Sequence, residues 1–277
     1  MKVLILTTLI ILGGASLFSL ANSDFTEDPL VIGAVQFEVS PLVYSSGQAF
    51  REAVENKIIA LEEADFIIFP EYTSVYAGYL FINSLSRDEI SRTAPEVKAF
   101  LDKEWGALAK KYNKYILAGT YYAAVGDKIY NRALIYGPEG ALFHHQDKVF
   151  LGDIEINAIG LDRGDIENAE PFTIKGKTFF LTICRDTYHD DWESIVPPVD
   201  LWIDIKANEL PYTEEYYAGA LPSRLPDSEA DLGLTVSLTG SIGGYVFEGY
   251  SSLRDDNAQI QATSRYDGED AFLFTLE

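Results

Sequence analysis

Cysteine is almost absent from the 277-residue sequence, which contains only Cys184. A single cysteine cannot form a disulfide within the chain, so a hydrophobic core must stabilise the fold. Hydrophobic residues make up 47% of the sequence, including 17 Tyr and 16 Phe, and this is enough for such a core. Cys184 is then either a small buried hydrophobe or a reactive thiol, and for an isolated cysteine the first interpretation is the commoner one.

Positive charge is also scarce. The sequence has 21 Lys and Arg against 43 Asp and Glu, which gives a net charge of −22. Binding to nucleic acid phosphates requires the opposite sign, so a nucleic-acid partner is excluded, and binding to anionic lipid is disfavoured. An acidic surface is typical of proteins that stay soluble through charge repulsion or that are adapted to salt.

Charge is almost missing from residues 1–21, where Lys2 is the only charged side chain. An apolar run from Val3 to Leu12 precedes the small residues Ser19 and Ala21, a pattern typical of a signal peptide. We therefore predict a cleaved signal over residues 1–21 and one domain over residues 22–277, in a secreted or periplasmic protein. The alternative is an uncleaved membrane anchor, because the uncharged stretch is nearly long enough to span a bilayer.

The next part of the sequence alternates strand and helix patterns. An apolar strand at Leu30–Val39 is followed by a helical pattern at Ala49–Ala64 and a short strand at Asp65–Phe69. A longer amphipathic helix is predicted for Arg87–Lys114, and the last third, from Leu232 onward, has β patterns. The polar, glycine-containing stretch Gly152–Asn168 predicts a long loop, and a short helix is predicted for Tyr188–Val196. This order predicts an α/β fold of two sheets packed face to face with helices outside.

Three chemically capable side chains follow predicted strands. Glu71 comes after Phe-Ile-Ile-Phe-Pro, Lys148 after Phe-His-His-Gln-Asp, and Cys184 after Phe-Leu-Thr-Ile. Each residue alone is more commonly a solvated loop residue or a buried thiol. Together they supply a nucleophile, a base and a cation at strand ends, where catalytic residues are commonly found.

The motifs around these residues resemble the carbon–nitrogen hydrolase (nitrilase) superfamily, from about Leu30 to the end of the chain. The resemblance rests on Phe-Pro-Glu at 69–71, Asp-Lys-Val-Phe-Leu at 147–151 and Ile-Cys-Arg-Asp at 183–186. It also includes Tyr-Asn-Arg-Ala at 130–133 and Phe-Glu-Gly-Tyr-Ser-Ser at 247–252. The family's fold is a four-layer α-β-β-α sandwich, which is then expected here.

The resemblance implies a role for each of these residues. Cys184 would be the nucleophile, Glu71 the general base and Lys148 the cation that faces the oxyanion, with a thioester intermediate on the cysteine. Glu155, seven residues after Lys148, matches a second glutamate that positions the substrate in many members. The implied substrate is a small amide, nitrile or carbamoyl amine, no metal or other cofactor is required, and a homodimer is possible.

Arg185 departs from the family pattern, which commonly has an aromatic residue after the nucleophile. This arginine could position a substrate carboxylate. We expect instead that it forms a salt bridge with one of the aspartates that follow, Asp186, Asp190 or Asp191.

Other functions remain open at this stage. A papain-like thiol enzyme would need a histidine partner among His144, His145 and His189, although no papain-type context surrounds the cysteine. A metal site at His144, His145 and Asp147 has no spacing to support it. An inactive binding member of the family, or an N-acyltransferase with the same triad, would be compatible with the sequence.

Overall fold

The computed structural model describes residues 29–82, 84, 86–209 and 211–277, and the predicted signal peptide lies outside them. The described residues form thirteen strands and four α-helices. The strands are β1 (Leu30–Val39), β2 (Phe66–Phe69), β3 (Tyr115–Val125), β4 (Lys128–Tyr136), β5 (Leu142–Asp147), β6 (Phe172–Ile174), β7 (Lys177–Ile183), β8 (Leu201–Lys206), β9 (Leu232–Ile242), β10 (Tyr245–Phe247), β11 (Ser252–Asp255), β12 (Ile260–Thr263) and β13 (Asp270–Leu276). The helices are α1 (Gly47–Ala60), α2 (Arg87–Tyr112), α3 (Glu214–Ala218) and α4 (Leu221–Arg224). None of the helices in these residues is long and apolar enough to cross a membrane.

The first sheet has the order β5-β4-β3-β2-β1-β13. Strands β1, β2 and β3 are parallel, as the strand–helix–strand pattern predicts, and β13 pairs antiparallel along β1. β1 is therefore paired on both edges, and its side chains are buried on both faces of the sheet, which explains its nearly continuous apolar sequence. The parallel arrangement brings the carboxyl ends of β1, β2 and β3 to one side of the sheet.

The second sheet has the order β6-β7-β8-β9-β11-β12. β7, β8 and β9 are parallel, and the cysteine follows the last residue of β7. The two sheets join where the end of β1, Phe37–Val39, pairs with Leu238–Gly240 of β9. This junction brings the carboxyl ends of the two parallel strand sets close together.

Three hydrophobic layers hold the sheets and helices together. A central layer between the sheets includes Ile32, Ile68 and Ile203. An outer layer packs α1 and α2 on the first sheet around Trp105, and another packs α4 and its neighbours on the second sheet around Trp202. The structure is thus a four-layer α-β-β-α sandwich, which confirms the predicted fold class.

The boundaries of several elements differ from the predictions. α1 ends at Ala60 rather than Ala64, because the chain has to turn before it enters β2. The predicted helix at Tyr188–Val196 is replaced by two short 3₁₀ helices, Cys184–Tyr188 and Asp190–Ser194. The predicted loop at Gly152–Asn168 contains a π-helix at Ile154–Ile159. Segments this short leave too few residues for hydrophobic periodicity to define them.

Candidate active site

Cys184 lies at the end of β7 and lines a cavity of about 190 Å³ together with Lys148, Glu155 and Arg185. Its backbone has a φ of 52°, in the left-handed region that side-chain-bearing residues rarely adopt. Such a conformation costs on the order of 1–3 kcal/mol and persists only where surrounding contacts hold it. The sharp turn directs the chain from the strand into the following 3₁₀ helix, and the residue keeps 8% of its surface accessible.

A buried ion pair on β8 fixes the backbone of this turn. The Cys184 N–H donates to Asp204 Oδ1 at 3.0 Å, and Lys206 Nζ donates to the Cys184 carbonyl oxygen at 3.1 Å. Lys206 and Asp204 are themselves paired at 3.0 Å, and both are buried. Both backbone polar groups of the strained residue are therefore fixed by β8. The sequence contains a signal for this pair, since two charges two residues apart interrupt the otherwise apolar strand Leu-Trp-Ile-Asp-Ile-Lys.

Glu71 follows β2 and Pro70 and is fully buried. Its Oε1 accepts hydrogen bonds from Lys148 Nζ and from Asn131 Nδ2, both at 2.8 Å. Its Oε2 accepts the backbone N–H of Ala207 at 2.9 Å. Burial raises the pKa of this carboxyl group, Lys148 opposes the rise, and the nearby Glu155 carboxylate adds to it.

Lys148 lies between two carboxylates, with Nζ 2.8 Å from Glu71 Oε1 and 2.9 Å from Glu155 Oε2. Burial alone would lower the pKa of the ammonium, but Glu155 and Glu71 raise it well above its ordinary value. The lysine is therefore charged. An ammonium has three N–H donors, so two reach the carboxylates and one is left for the cavity that this residue lines.

Glu155 belongs to the segment that the sequence predicts as a loop, at the start of the π-helix. Besides Lys148, it accepts the N–H of Gly152 at 2.7 Å and the side-chain amide of Asn131 at 2.7 Å. Burial acts to raise the pKa of this carboxyl group, but Lys148 and the Gly152 hydrogen bond lower it overall. Asn131 thus bridges Glu71 and Glu155. No role was predicted for this asparagine, although it lies in the Tyr-Asn-Arg-Ala motif at 130–133.

Asp186 does not form the predicted salt bridge with Arg185. It is fully buried and accepts three backbone N–H groups, from Val149 at 3.1 Å, Phe150 at 2.7 Å and Ile183 at 3.0 Å. Arg185 is exposed on the cavity wall, and no carboxylate of the described residues lies within 4.0 Å of its guanidinium. The salt-bridge prediction was wrong because the aspartate side chain is used to connect the cysteine turn to the lysine loop.

Comparison with known proteins identifies the family. The model of the family described as carbon-nitrogen hydrolase matches residues 31–190, which include Glu71, Lys148, Glu155 and Cys184. The chain belongs to the carbon–nitrogen hydrolase family. A comparison with curated proteins gave no match.

Solved structures of the amidase from Nesterenkonia sp. AN1 are similar to this carbon–nitrogen hydrolase in fold. A variant of that amidase in complex with butyramide has a TM-score of 0.73 at 17% identity, over 89% of this chain and 90% of that one. A second variant, with the acetamide moiety of fluoroacetamide added to its active-site cysteine, has a TM-score of 0.73 at 16% identity over the same shares. Another structure of this amidase has a TM-score of 0.72 at 18% identity, again over those shares.

The thiol of this carbon–nitrogen hydrolase is neutral at ordinary pH. Burial, followed by the Glu71 carboxylate, raises the pKa of Cys184 to about 12, while Lys148 and Lys206 act in the opposite direction. A thiol with this pKa needs a base at the moment of attack, because the reactive species is the thiolate.

No histidine in the described part of the chain lines the cysteine cavity. His189 stacks on Phe150 with ring centroids 3.6 Å apart, and His144 and His145 lie on β5. The described part of the chain contains no group of three or more His, Cys, Asp or Glu side chains placed to hold a metal ion. The arrangement therefore differs from that of a papain-like enzyme, in which an imidazole contacts the thiol.

Proposed function

We propose that this carbon–nitrogen hydrolase cleaves small carboxylic amides to the acid and ammonia, with Cys184 as nucleophile and Glu71 as general base. In the same proposal Lys148 stabilises the oxyanion, Glu155 orients Lys148 and the substrate amide, and Arg185 positions the substrate from the cavity wall. The single observation that carries the proposal is that Lys148 and Cys184 line one cavity while the fully buried Glu71 lies beside both of them, although the three residues come from separate parts of the chain.

In the first half of the reaction, the Cys184 sulfur attacks the amide carbon while Glu71 takes the thiol proton. The negative charge that develops on the amide oxygen is stabilised by the free N–H of Lys148 and by the backbone N–H of Arg185. The Arg185 N–H is suited to this role because it lies in the first turn of the 3₁₀ helix, where N–H groups have no intrahelical acceptor. Glu71 then passes its proton to the nitrogen, the C–N bond breaks, ammonia leaves, and a thioester remains on Cys184.

In the second half, water attacks the thioester carbon and gives its proton to Glu71. The carbon–sulfur bond breaks, the acid is released, and the proton on Glu71 returns to the sulfur. The raised pKa of Glu71 supports this cycle, because a base whose pKa lies closer to the working pH both accepts and returns a proton readily.

The test is the release of ammonia from butyramide and related small amides. We expect Cys184→Ala to abolish the release and Glu71→Gln to reduce kcat/KM by about 10²–10⁴, the usual contribution of a general base. Glu139→Gln, on the exposed turn between β4 and β5, is the control and should keep the activity. Activity that persists in Cys184→Ala would refute the proposal.

The same assay separates hydrolysis from transfer of the acyl group to an amine. With an added primary amine, hydrolysis predicts that the free acid stays the main product. Formation of the N-substituted amide in place of the acid would instead identify an N-acyltransferase with the same residues.

A further inference from the structure

A second cavity, of about 430 Å³, adjoins the cysteine cavity. The two cavities share Tyr72, Ile154 and Glu209 in their linings, so they lie side by side. We name the second one the tyrosine cavity, because its walls include Tyr72, Tyr76, Tyr79, Tyr122 and Tyr245. An acyl chain too long for the cysteine cavity would extend toward the tyrosine cavity.

The tyrosine rings of this cavity pack against one another. Tyr76 stacks on Tyr79 with ring centroids 5.9 Å apart and planes 13° apart, and Tyr72 makes edge contacts with Tyr76 and Tyr122 at 6.1 and 6.2 Å. Tyr72 has a φ of 63°, and its N–H donates to Thr120 Oγ1 at 3.0 Å. This left-handed conformation directly after Glu71 places the Tyr72 side chain at the boundary of the two cavities. The faces of such rings attract cations.

Glu209 is the only charged side chain in the described lining of the tyrosine cavity. It is partly buried and has no hydrogen-bond or ion-pair partner in the described part of the chain. Burial, then the repulsion of Glu71 and Glu155, raises the pKa of this carboxyl group to about 7. The surroundings therefore disfavour the negative charge of Glu209, and a cation in the tyrosine cavity would stabilise it.

The charged side chains around the two cavities also favour a bound cation. The carboxylates of Asp153, Glu155 and Glu209 line the two cavities, and Glu71 is paired with Lys148 behind the lining, against the two cations Lys148 and Arg185. Lys148 is already held between two carboxylates, and Arg185 lines the cysteine cavity but not the tyrosine cavity.

We propose that the tyrosine cavity binds an ammonium group at the distal end of the amide substrate, with Glu209 as its counter-charge and the tyrosine faces around it. The inference rests on the proposed amide cleavage and names the substrate class, an amide whose acyl chain carries a terminal ammonium.

The test compares 6-aminohexanamide with its neutral analogue hexanamide and with adipamic acid, which carries a carboxylate instead. The expected order of kcat/KM is ammonium, then neutral, then carboxylate, with the ammonium amide preferred to the neutral one by about 10-fold or more, the usual effect of a hydrogen bond to a charged group. Glu209→Gln should reduce this ratio to within about threefold. The ratio is the measure, because the loss of the Glu209 charge changes the field at Glu71 for both amides alike. Glu139→Gln, which also removes one surface charge, should leave the ratio as in the wild type.

A binding measurement separates failure of the subsite from failure of the chemistry. Calorimetric titration of Cys184→Ala with the same three compounds reports binding without turnover. Tighter binding of 6-aminohexanamide than of hexanamide, lost on adding Glu209→Gln, supports the subsite even if no amide is hydrolysed. Equal binding of the two, or a preference unaffected by Glu209→Gln, overturns the subsite while amide cleavage, measured with butyramide, can still stand.

Discussion

The buried pair of Asp204 and Lys206 below the cysteine leads to the sharpest stability prediction. Lys206→Met keeps most of the side-chain volume but removes the ammonium that is 3.0 Å from Asp204 and donates to the Cys184 carbonyl oxygen. Asp204 would then be a fully buried acidic group without its cation. Breaking a buried pair in this way typically costs about 3–5 kcal/mol. We expect a loss of this size in the free energy of unfolding at pH 8, measured by urea denaturation.

The companion variants distinguish a lost charge from lost packing. Asp204→Asn combined with Lys206→Met removes both charges and keeps a polar group for the Cys184 N–H, so the double variant should be more stable than Lys206→Met alone. Lys98→Met is the matched control, because Lys98 pairs with Asp102 on the half-exposed surface of α2. An exposed pair of this kind contributes about 0.3–0.5 kcal/mol.

The pH dependence gives a second check on the same variant. In Lys206→Met the folded protein is expected to keep a proton on Asp204, whereas the unfolded chain loses it near pH 4. The folded state then binds one proton more, so stability falls as pH rises, by up to about 1.4 kcal/mol per unit, until the pH passes the pKa of the folded state. If Lys206→Met loses less than about 1 kcal/mol, or if the double variant is the least stable of the three variants, the pair does not hold the cysteine turn.

Three further predictions follow from the same structure. Lys148→Met leaves the buried carboxylates of Glu71 and Glu155 without a cation, so one of them should take up a proton in the folded state. The unfolding free energy should then fall as pH rises above about 5, in contrast to Lys98→Met. A pH profile parallel to that of Lys98→Met would contradict this. The pKa of about 12 for Cys184 predicts that alkylation by iodoacetamide becomes about tenfold faster per pH unit between pH 7 and 9, and a rate independent of pH would indicate a thiolate instead. The pattern in residues 1–21 predicts that N-terminal sequencing of the exported protein begins after Ala21, and a sequence that starts at Met1 would favour the anchor.

The sequence alone was enough to predict the fold class and to single out the residues of the proposed triad. Hydrophobic periodicity defines long elements such as β1 and α2, and their alternation favours a parallel sheet with helices outside. Side chains capable of acting as a base, a cation and a nucleophile follow predicted strands at Glu71, Lys148 and Cys184. These residues are far apart in the chain but adjacent in the structure. These features depend on local pattern and on residue type, both of which a single sequence carries.

The tertiary structure decided what surrounds those residues. Four features of the site could not be assigned from sequence. They are Asn131 between two carboxylates, Asp186 on three backbone N–H groups, the pair of Asp204 and Lys206 next to the cysteine turn, and Glu209 at the boundary of two cavities. Each depends on a contact between distant strands, and the direction of a buried polar side chain is set by whichever partner the packing brings within hydrogen-bond reach. Arg185 is an example. The aspartates next to it in sequence suggested a salt bridge, but Asp186 is buried and accepts backbone N–H groups instead. Sequence thus determined which groups this protein has for its chemistry, and packing determined which of them meet.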